Sequence, residues 1–303
     1  DIAGLNRSSL IKNVGLPFKM LKSFFQVRQI FKKFSPDVVI GVGGYSSFPV
    51  LKYAQTKDIA TFIHESNSFA GKANIMLAKN ATKVFVASDG MEQFFPAEKI
   101  VISGNPVRKS ISQSTVRREE GIEFFKLNPD KKTVLAVGGS LGAKSINEAL
   151  DKSLGLFTDN DLQLIWQTGK PYAAKAKHRA NDKSNIWVNE FINQMEYAYA
   201  AADLVISRSG AMAIAELCVM KKATVFVPFP YAAEDHQTVN AQNLVNKNAG
   251  IMIKDSDALE MLVAAAIALL KDENKQQGLI NNISRLGINN ADEIIAKQIL
   301  KLI

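Results

Sequence analysis

The stretch Ser207-Arg208-Ser209-Gly210-Ala211-Met212-Ala213-Ile214-Ala215-Glu216 follows directly on the short apolar run Asp203-Leu204-Val205-Ile206. A strand passes through small residues into a helix that begins near Ala211. Ser209 and Gly210 then sit at the helix start, where N–H groups without intrahelical partners and the positive end of the helix dipole suit a phosphate. Glu216 comes about one and a half turns later. A carboxylate there repels phosphate but accepts two hydrogen bonds from the vicinal hydroxyls of a sugar. Phosphate and diol together describe a nucleotide. A capped helix carrying an ordinary surface glutamate is the alternative that this segment alone leaves open.

A second loop points the same way. Thr133-Val134-Leu135-Ala136-Val137 reads as a buried strand and runs into Gly138-Gly139-Ser140-Leu141-Gly142-Ala143 and a helix. Glycines at such a turn let a phosphate or sugar approach the backbone, and Ser140 adds a hydroxyl. The spacing is not that of the dinucleotide fingerprint, and a turn of this kind also serves packing alone.

Outward from these loops, strand-like and helical stretches alternate along the chain. Val38–Gly41, Thr61–His64, Val84–Ala87 and Val101–Ser103 form one series of apolar runs. Thr133–Val137, Gln163–Thr168, Ile186–Val188, Leu204–Ser207, Ala223–Val227 and Ile251–Ile253 form a second. Such alternation predicts parallel sheets with helices on both faces. The polar segment Lys109 to Lys132 between the series reads as an interdomain connection. With 303 residues, 47% of them hydrophobic, there is core for two α/β domains. The expected boundaries are 1–107 and 108–286, with a last helix over 287–303 returning to the first domain.

The single cysteine, Cys218, excludes an internal disulfide framework and suits a reducing cytoplasm; it reads as a small core residue. The apolar stretch Met261 to Leu270 is too short to span a bilayer. Net charge is +8, and it is concentrated early: Arg7, Lys12, Lys19, Lys22, Arg28, Lys32 and Lys33 interleave with large apolar side chains such as Phe18, Phe24 and Phe25. That mixture marks a helix lying on an anionic membrane surface, and contact is expected within residues 7–34. For much of Leu21–Phe34 a core-facing helix with a solvated basic face is the expected arrangement. No nucleic-acid signature appears, so no nucleic-acid partner is expected.

The joint order of several short motifs is more specific than any one of them. They are IxGLxR at 2–7, PDVVIGVGGYSS from Pro36, the HExN turn His64-Glu65-Ser66-Asn67, Ala70-Gly71, GNPVR ending at Arg108, VGGSLGA at 137–143 and EFI at 190–192. The SRSGA…E run, FVPFP and HQxxNA from His236 complete the set. Over essentially its whole length the chain resembles the MurG family of UDP-N-acetylglucosamine transferases, which make lipid II in bacterial cell-wall synthesis. The resemblance implies two Rossmann-like domains facing a cleft, the GT-B architecture, with UDP-GlcNAc held by the second. It implies that Arg108 and Ser140 contact the nucleotide sugar and that the backbone of Ile192 reads the uracil edge. Ala211, Met212, Ala213, Ile214, Ala215 and Glu216 match the diphosphate- and ribose-binding segment, with Glu216 on the ribose hydroxyls. Gln237 matches a sugar-contacting glutamine, and Asn67 reaches the donor from the first domain. Where Ala213 and Ala215 stand, family members often carry hydroxyl residues, so phosphate here is expected to rely on backbone N–H groups and Ser209, with Gly210 beside it.

The family opens with a strand and a GGTGGH-type loop that this sequence lacks. The first domain is therefore expected to be incomplete, and the chain as given to bind UDP while transferring sugar poorly. The implied reaction is inverting transfer of N-acetylglucosamine to the 4-hydroxyl of the MurNAc of undecaprenyl-linked lipid I, at the cytoplasmic face of the membrane. It needs no cofactor, and no paired-Asp cluster resembles a metal site. Helix start and Arg108 are expected to meet the growing diphosphate charge. His64 and Glu65 are the candidates for the general base. The other readings are a UDP-sugar transferase with a different lipid acceptor, such as diacylglycerol, and a non-catalytic UDP-sugar-binding subunit.

Overall fold

A computed structural model describes residues 16–301 of the chain. The IxGLxR motif, Arg7 and Lys12 lie outside the described residues. Two compact units divide between Asn105 and Pro106, and the chain from Ala291 returns to the first of them. The sequence had suggested cuts after residues 107 and 286.

In the first unit the strands are β1 (Val38–Gly41), β2 (Ala60–Glu65), β3 (Lys83–Val86) and β4 (Ile100–Ile102). They pair in sequence order and all run parallel. Side chains alternate across the sheet because successive residues of a strand point to opposite faces. Ile63, Val84 and Val86 pack with Leu51, Leu77 and Phe95 on one side. On the other, Phe62 and Phe85 meet Ile295 of the helix Ala291–Leu300.

The second unit holds β5 (Thr133–Val137), β6 (Gln163–Gln167), β7 (Ile186–Asn189), β8 (Leu204–Ser207), β9 (Thr224–Phe226) and β10 (Ile251–Met252). Their spatial order is β10-β9-β8-β5-β6-β7, every pair parallel. Both faces are covered, which is why these strands read as continuous apolar runs. Val134, Ala136, Leu164, Trp166 and Ile206 belong to one core, Leu135, Ile165, Val205 and Phe226 to the other. The chain reverses direction of winding between β5 and β8. Ligands in such sheets bind outside the carboxyl ends of the strands at that point. Val137 and Ser207 are in register there, so the GGS loop and the SRSGA run leave the sheet side by side.

Two expectations need correction. Lys109–Lys132 is not a connection but part of the second unit. It forms helices Lys109–Ser112 and Arg118–Phe124, and buries Ile111, Ile122 and Phe125 in the core. Its polar composition belongs to the outward faces of short amphipathic turns. The helix Leu16–Phe34, for its part, is not core-facing over most of Leu21–Phe34. Only Ser23 and Val27 are buried, while Phe18, Leu21, Phe25, Ile30 and Phe34 are exposed among the lysines. Cys218 is buried as expected, and burial pushes its thiol up to about 12.

Candidate functional site

A cavity of 1190 Å³ opens at the carboxyl ends of β5 and β8, lined by residues of the second unit. Its floor is the start of the helix Ala211–Val219, whose N-cap is Gly210. Gly210, Met212, Ala213 and Glu216 line it, sharing one helical face by their spacing. Ile214 and Ala215 turn instead toward the core, and Ala211 opens the helix.

Glu216 is nearly buried and its carboxylate is held from two sides. Arg108 donates to Oε1 from Nε at 3.1 Å and from Nη2 at 2.8 Å. The Tyr199 hydroxyl donates to Oε2 at 2.9 Å. Burial, with the charge of Glu216 next to it, holds the Tyr199 hydroxyl well above its ordinary range, so it stays a donor. Arg108 and Glu216, separately expected to meet phosphate and ribose, are thus joined in an ion pair.

Ser209 does not present its hydroxyl to the cavity. The residue is fully buried, and Oγ donates to the Gln237 carbonyl at 2.7 Å. The expectation that it would help hold phosphate is therefore corrected: the hydroxyl ties the helix start to the next helix, His236–Asn246. Asn240 reinforces the tie by donating to the Ser209 carbonyl at 3.2 Å. Gln237 itself lines the cavity; its Oε1 accepts from the Phe229 N–H at 3.0 Å.

Ser140 lies exposed on the cavity wall, in a loop that only glycine permits. Gly142 has φ +77 and Gly169 φ +72; the Thr168 carbonyl occupies the place of a Gly142 Cβ, and the Leu141–Gly142 backbone that of a Gly169 Cβ. Asn147 anchors this crossing by donating to the Thr168 carbonyl at 2.8 Å while accepting from Trp166 Nε1 at 2.9 Å. Ile192 also lines the cavity, but its N–H already donates to Gln167 Oε1 at 2.9 Å. Gln167 Nε2 donates to the Gly139 carbonyl at 3.1 Å, so this buried side chain ties the GGS loop to the EFI turn.

Three residues of this site were not singled out in the sequence: Tyr199, Gln167 and Arg208. Arg208 stands at the cavity edge, donating to Asp255 at 2.6 Å and to the carbonyls of Val227 and Pro228, with its guanidinium over the Phe229 ring. Ser145 joins it on Asp255. The available signal for Gln167 was a polar residue ending an otherwise apolar strand.

In the first unit, the HExN turn closes on itself. Glu65 Oε1 accepts from the Asn67 N–H at 3.1 Å and from Asn67 Nδ2 at 3.4 Å. Oε2 accepts from the Gly71 N–H at 3.0 Å and from Asn74 Nδ2 at 2.8 Å. His64 donates from Nε2 to the Gly104 carbonyl at 3.0 Å, which leaves Nδ1 to accept from the Ser66 hydroxyl at 3.3 Å. Both residues are buried. In this arrangement the glutamate braces the turn, and the histidine pins it to the loop that follows β4.

Comparison with known proteins agrees with this arrangement. Residues 133–298 match the glycosyltransferase family 28 C-terminal domain, and residues 1–86 the family 28 N-terminal domain. The chain belongs to glycosyltransferase family 28. It is 45% identical, over 100% of its length and 83% of the relative's, to the UDP-N-acetylglucosamine–N-acetylmuramyl-(pentapeptide) pyrophosphoryl-undecaprenol N-acetylglucosamine transferase of Parabacteroides distasonis. The transferase of the same name from Bacteroides thetaiotaomicron is 46% identical over 99% of this chain and 82% of its own. Among solved structures, Acinetobacter baumannii MurG superposes with a TM-score of 0.76 at 30% identity, covering 97% of this chain and 83% of that one. The family 28 chain thus groups with the MurG transferases and shares their two-domain α/β fold.

Proposed function

We infer that this chain transfers N-acetylglucosamine from UDP-GlcNAc to the 4-hydroxyl of the MurNAc of undecaprenyl-linked lipid I, forming lipid II for peptidoglycan. The carrying observation is the cavity at the β5–β8 switch point, with a helix start and a nearly buried glutamate on one face, in a chain of the MurG group. The N–H groups of Gly210, Met212 and Ala213 suit the diphosphate, and Glu216 the ribose diol. The EFI turn at Ile192 suits the uracil, Gln237 Nε2 the sugar, and Ser140 the outer side of the donor.

As the acceptor hydroxyl attacks the anomeric carbon and yields its proton to a general base or water, the bond to the diphosphate oxygen breaks on the opposite face and UDP departs as an anion. Negative charge grows on the diphosphate, where preorganised dipoles stabilise it most because they need no reorganisation. Arg108, its side chain half exposed, is one of the cations lining the cavity, with Lys144 and Arg208.

The acceptor is lipid-linked, and the helix Leu16–Phe34 provides a surface to meet it. Its exposed Phe18, Leu21, Phe25 and Ile30 alternate with exposed Lys19, Lys22 and Arg28. Each basic residue contributes about 1 kcal/mol near an anionic bilayer, and salt weakens it. No helix among the described residues is long and apolar enough to cross a membrane, and we propose peripheral attachment to the cytoplasmic face.

A transfer assay tests the reading. Radiolabel from UDP-GlcNAc should appear on lipid I and depend on it. Label moving to diacylglycerol in preference, or UDP-GlcNAc binding without transfer to any lipid even at high enzyme, would favour the other readings. Lys19 and Lys22 changed to glutamate should lower co-sedimentation with anionic vesicles while leaving UDP affinity intact; unchanged sedimentation removes the membrane surface from this helix.

A further inference from the structure

Glu216 has two partners of opposite kind. Tyr199 is 2% exposed and fixed within the core, whereas the Arg108 side chain is 51% exposed and free to swing. A carboxylate offers about four lone-pair directions. Two bonds from Arg108 fall on Oε1 and one from Tyr199 on Oε2, which leaves room for a single further donor. A vicinal diol brings two. The diol therefore cannot dock fully while Arg108 keeps both of its bonds.

We propose that Arg108 and the ribose diol are alternative partners of Glu216 Oε1, so that nucleotide binding is an exchange: the diol displaces Arg108 toward the diphosphate while Tyr199 keeps the carboxylate aimed. This rests on the reading of Glu216 as the ribose acceptor. The exchange links two events at opposite ends of one ligand. A ligand with diol but no diphosphate must displace Arg108 without offering it a new partner. A ligand with both returns the arginine to a full anionic partner, and the stronger charge-assisted contact favours exchange. Tyr199 is a positioning residue here; it touches the carboxylate and not the nucleotide.

The test uses ligands that separate the two ends. Affinities of the full chain for uridine, 2′,3′-dideoxyuridine and UDP are measured by titration, for the wild type and for Arg108→Ala, Arg108→Lys and Tyr199→Phe. A pair with one half-exposed partner is weakened by solvent, so Arg108→Ala should bind uridine about two- to fivefold more tightly. The same variant should bind UDP about tenfold more weakly, because the diphosphate has lost its cation. These opposite signs are what a structural defect in the variant does not produce. Arg108→Lys should fall between wild type and Arg108→Ala for both ligands. Tyr199→Phe should narrow the ratio of uridine to dideoxyuridine affinity, a ratio that stays readable although loss of the buried bond to the carboxylate also lowers the melting temperature of the second unit. Uridine binding unchanged or weakened in Arg108→Ala, with discrimination against dideoxyuridine retained, overturns the exchange alone. No discrimination against dideoxyuridine in the wild type overturns the ribose reading and the exchange with it. An unchanged ratio in Tyr199→Phe overturns the role given to the tyrosine.

Discussion

Two buried glutamates, one in each unit, show what separates architecture from a binding group. Glu65 ends β2 and Glu216 lies in the helix after β8; each is less than a tenth exposed. The donors to Glu65 come from Asn67, Gly71 and Asn74, all within nine residues and two of them backbone. Such a carboxylate is saturated by the turn it organises. The donors to Glu216 are a fixed neutral hydroxyl from the helix Met195–Ala201 and a half-exposed guanidinium from the entry to the unit. The second of these reaches the carboxylate from the surface. Burial and polarity are shared by the two residues; the replaceability of their partners is not, and it decides which can serve a ligand.

The largest expected effect tests the closed member of the pair. Glu65→Ala strands the buried donor of Asn74 and the half-buried donors of Asn67 and Gly71, so the first unit should lose roughly 2–4 kcal/mol. Chemical denaturation followed by a probe in that unit reads the loss. Free UDP affinity, a property of the second unit's cavity, should stay within about twofold. A stable variant with intact turn geometry would make Glu65 something other than a brace and reopen its candidacy as a base.

The open member should behave in the reverse sense. Hydrogen bonds to a charged group contribute about 1.5–3 kcal/mol, so Glu216→Ala should weaken UDP about ten- to a hundredfold. Its stability cost should be the smaller of the two, since Arg108 returns to solvent and only the Tyr199 hydroxyl is left without an acceptor. Calorimetry showing unchanged UDP affinity would end the ribose assignment and, with it, the contrast drawn here.

How much of this was legible in the sequence follows from where the partners lie. All ten strands among the described residues were marked by short apolar runs, and those buried on both faces carry no alternating polar signal to confuse them. Gly138–Ala143 and Ser207–Glu216 were readable as strand-to-helix joints for the same reason. Lys109–Lys132 was not, since its buried Ile111, Ile122 and Phe125 are too sparse among charges to show a period. Tyr199 and Gln167 were missed because each acts on a residue distant in sequence, Glu216 or Gly139, and nothing local marks that. Ser209 was misjudged by the same logic: a hydroxyl at a helix start has an obvious local use, but its acceptor lies 28 residues on.

Gln237 gives an intermediate test. Its Oε1 is engaged by Phe229, so only Nε2 is placed to meet a ligand, and a neutral hydrogen bond contributes about 1 kcal/mol. Gln237→Ala should lower UDP-GlcNAc affinity several-fold and leave free UDP nearly unaffected, because UDP lacks the sugar. Equal losses for both ligands would show that the residue acts by holding the Phe229 loop, which would place it on the architectural side of the comparison.

The smallest expected effect concerns Ser209, whose residue type suggests a ligand contact and whose geometry denies it. With Oγ buried on the Gln237 carbonyl, Ser209→Ala removes one internal hydrogen bond and leaves that carbonyl short of a donor, a cost of about 1 kcal/mol in stability. The proposed diphosphate contacts at the helix start are the N–H groups of Gly210, Met212 and Ala213, which the substitution does not touch. UDP affinity should therefore change by less than about threefold, while UDP-GlcNAc affinity drops slightly more as the Gln237 segment loosens. A loss of UDP affinity comparable to that of Glu216→Ala would mean that the hydroxyl leaves Gln237 for the phosphate on binding. Ser209 would then join Arg108 as a partner that changes hands, and replaceability would no longer track exposure.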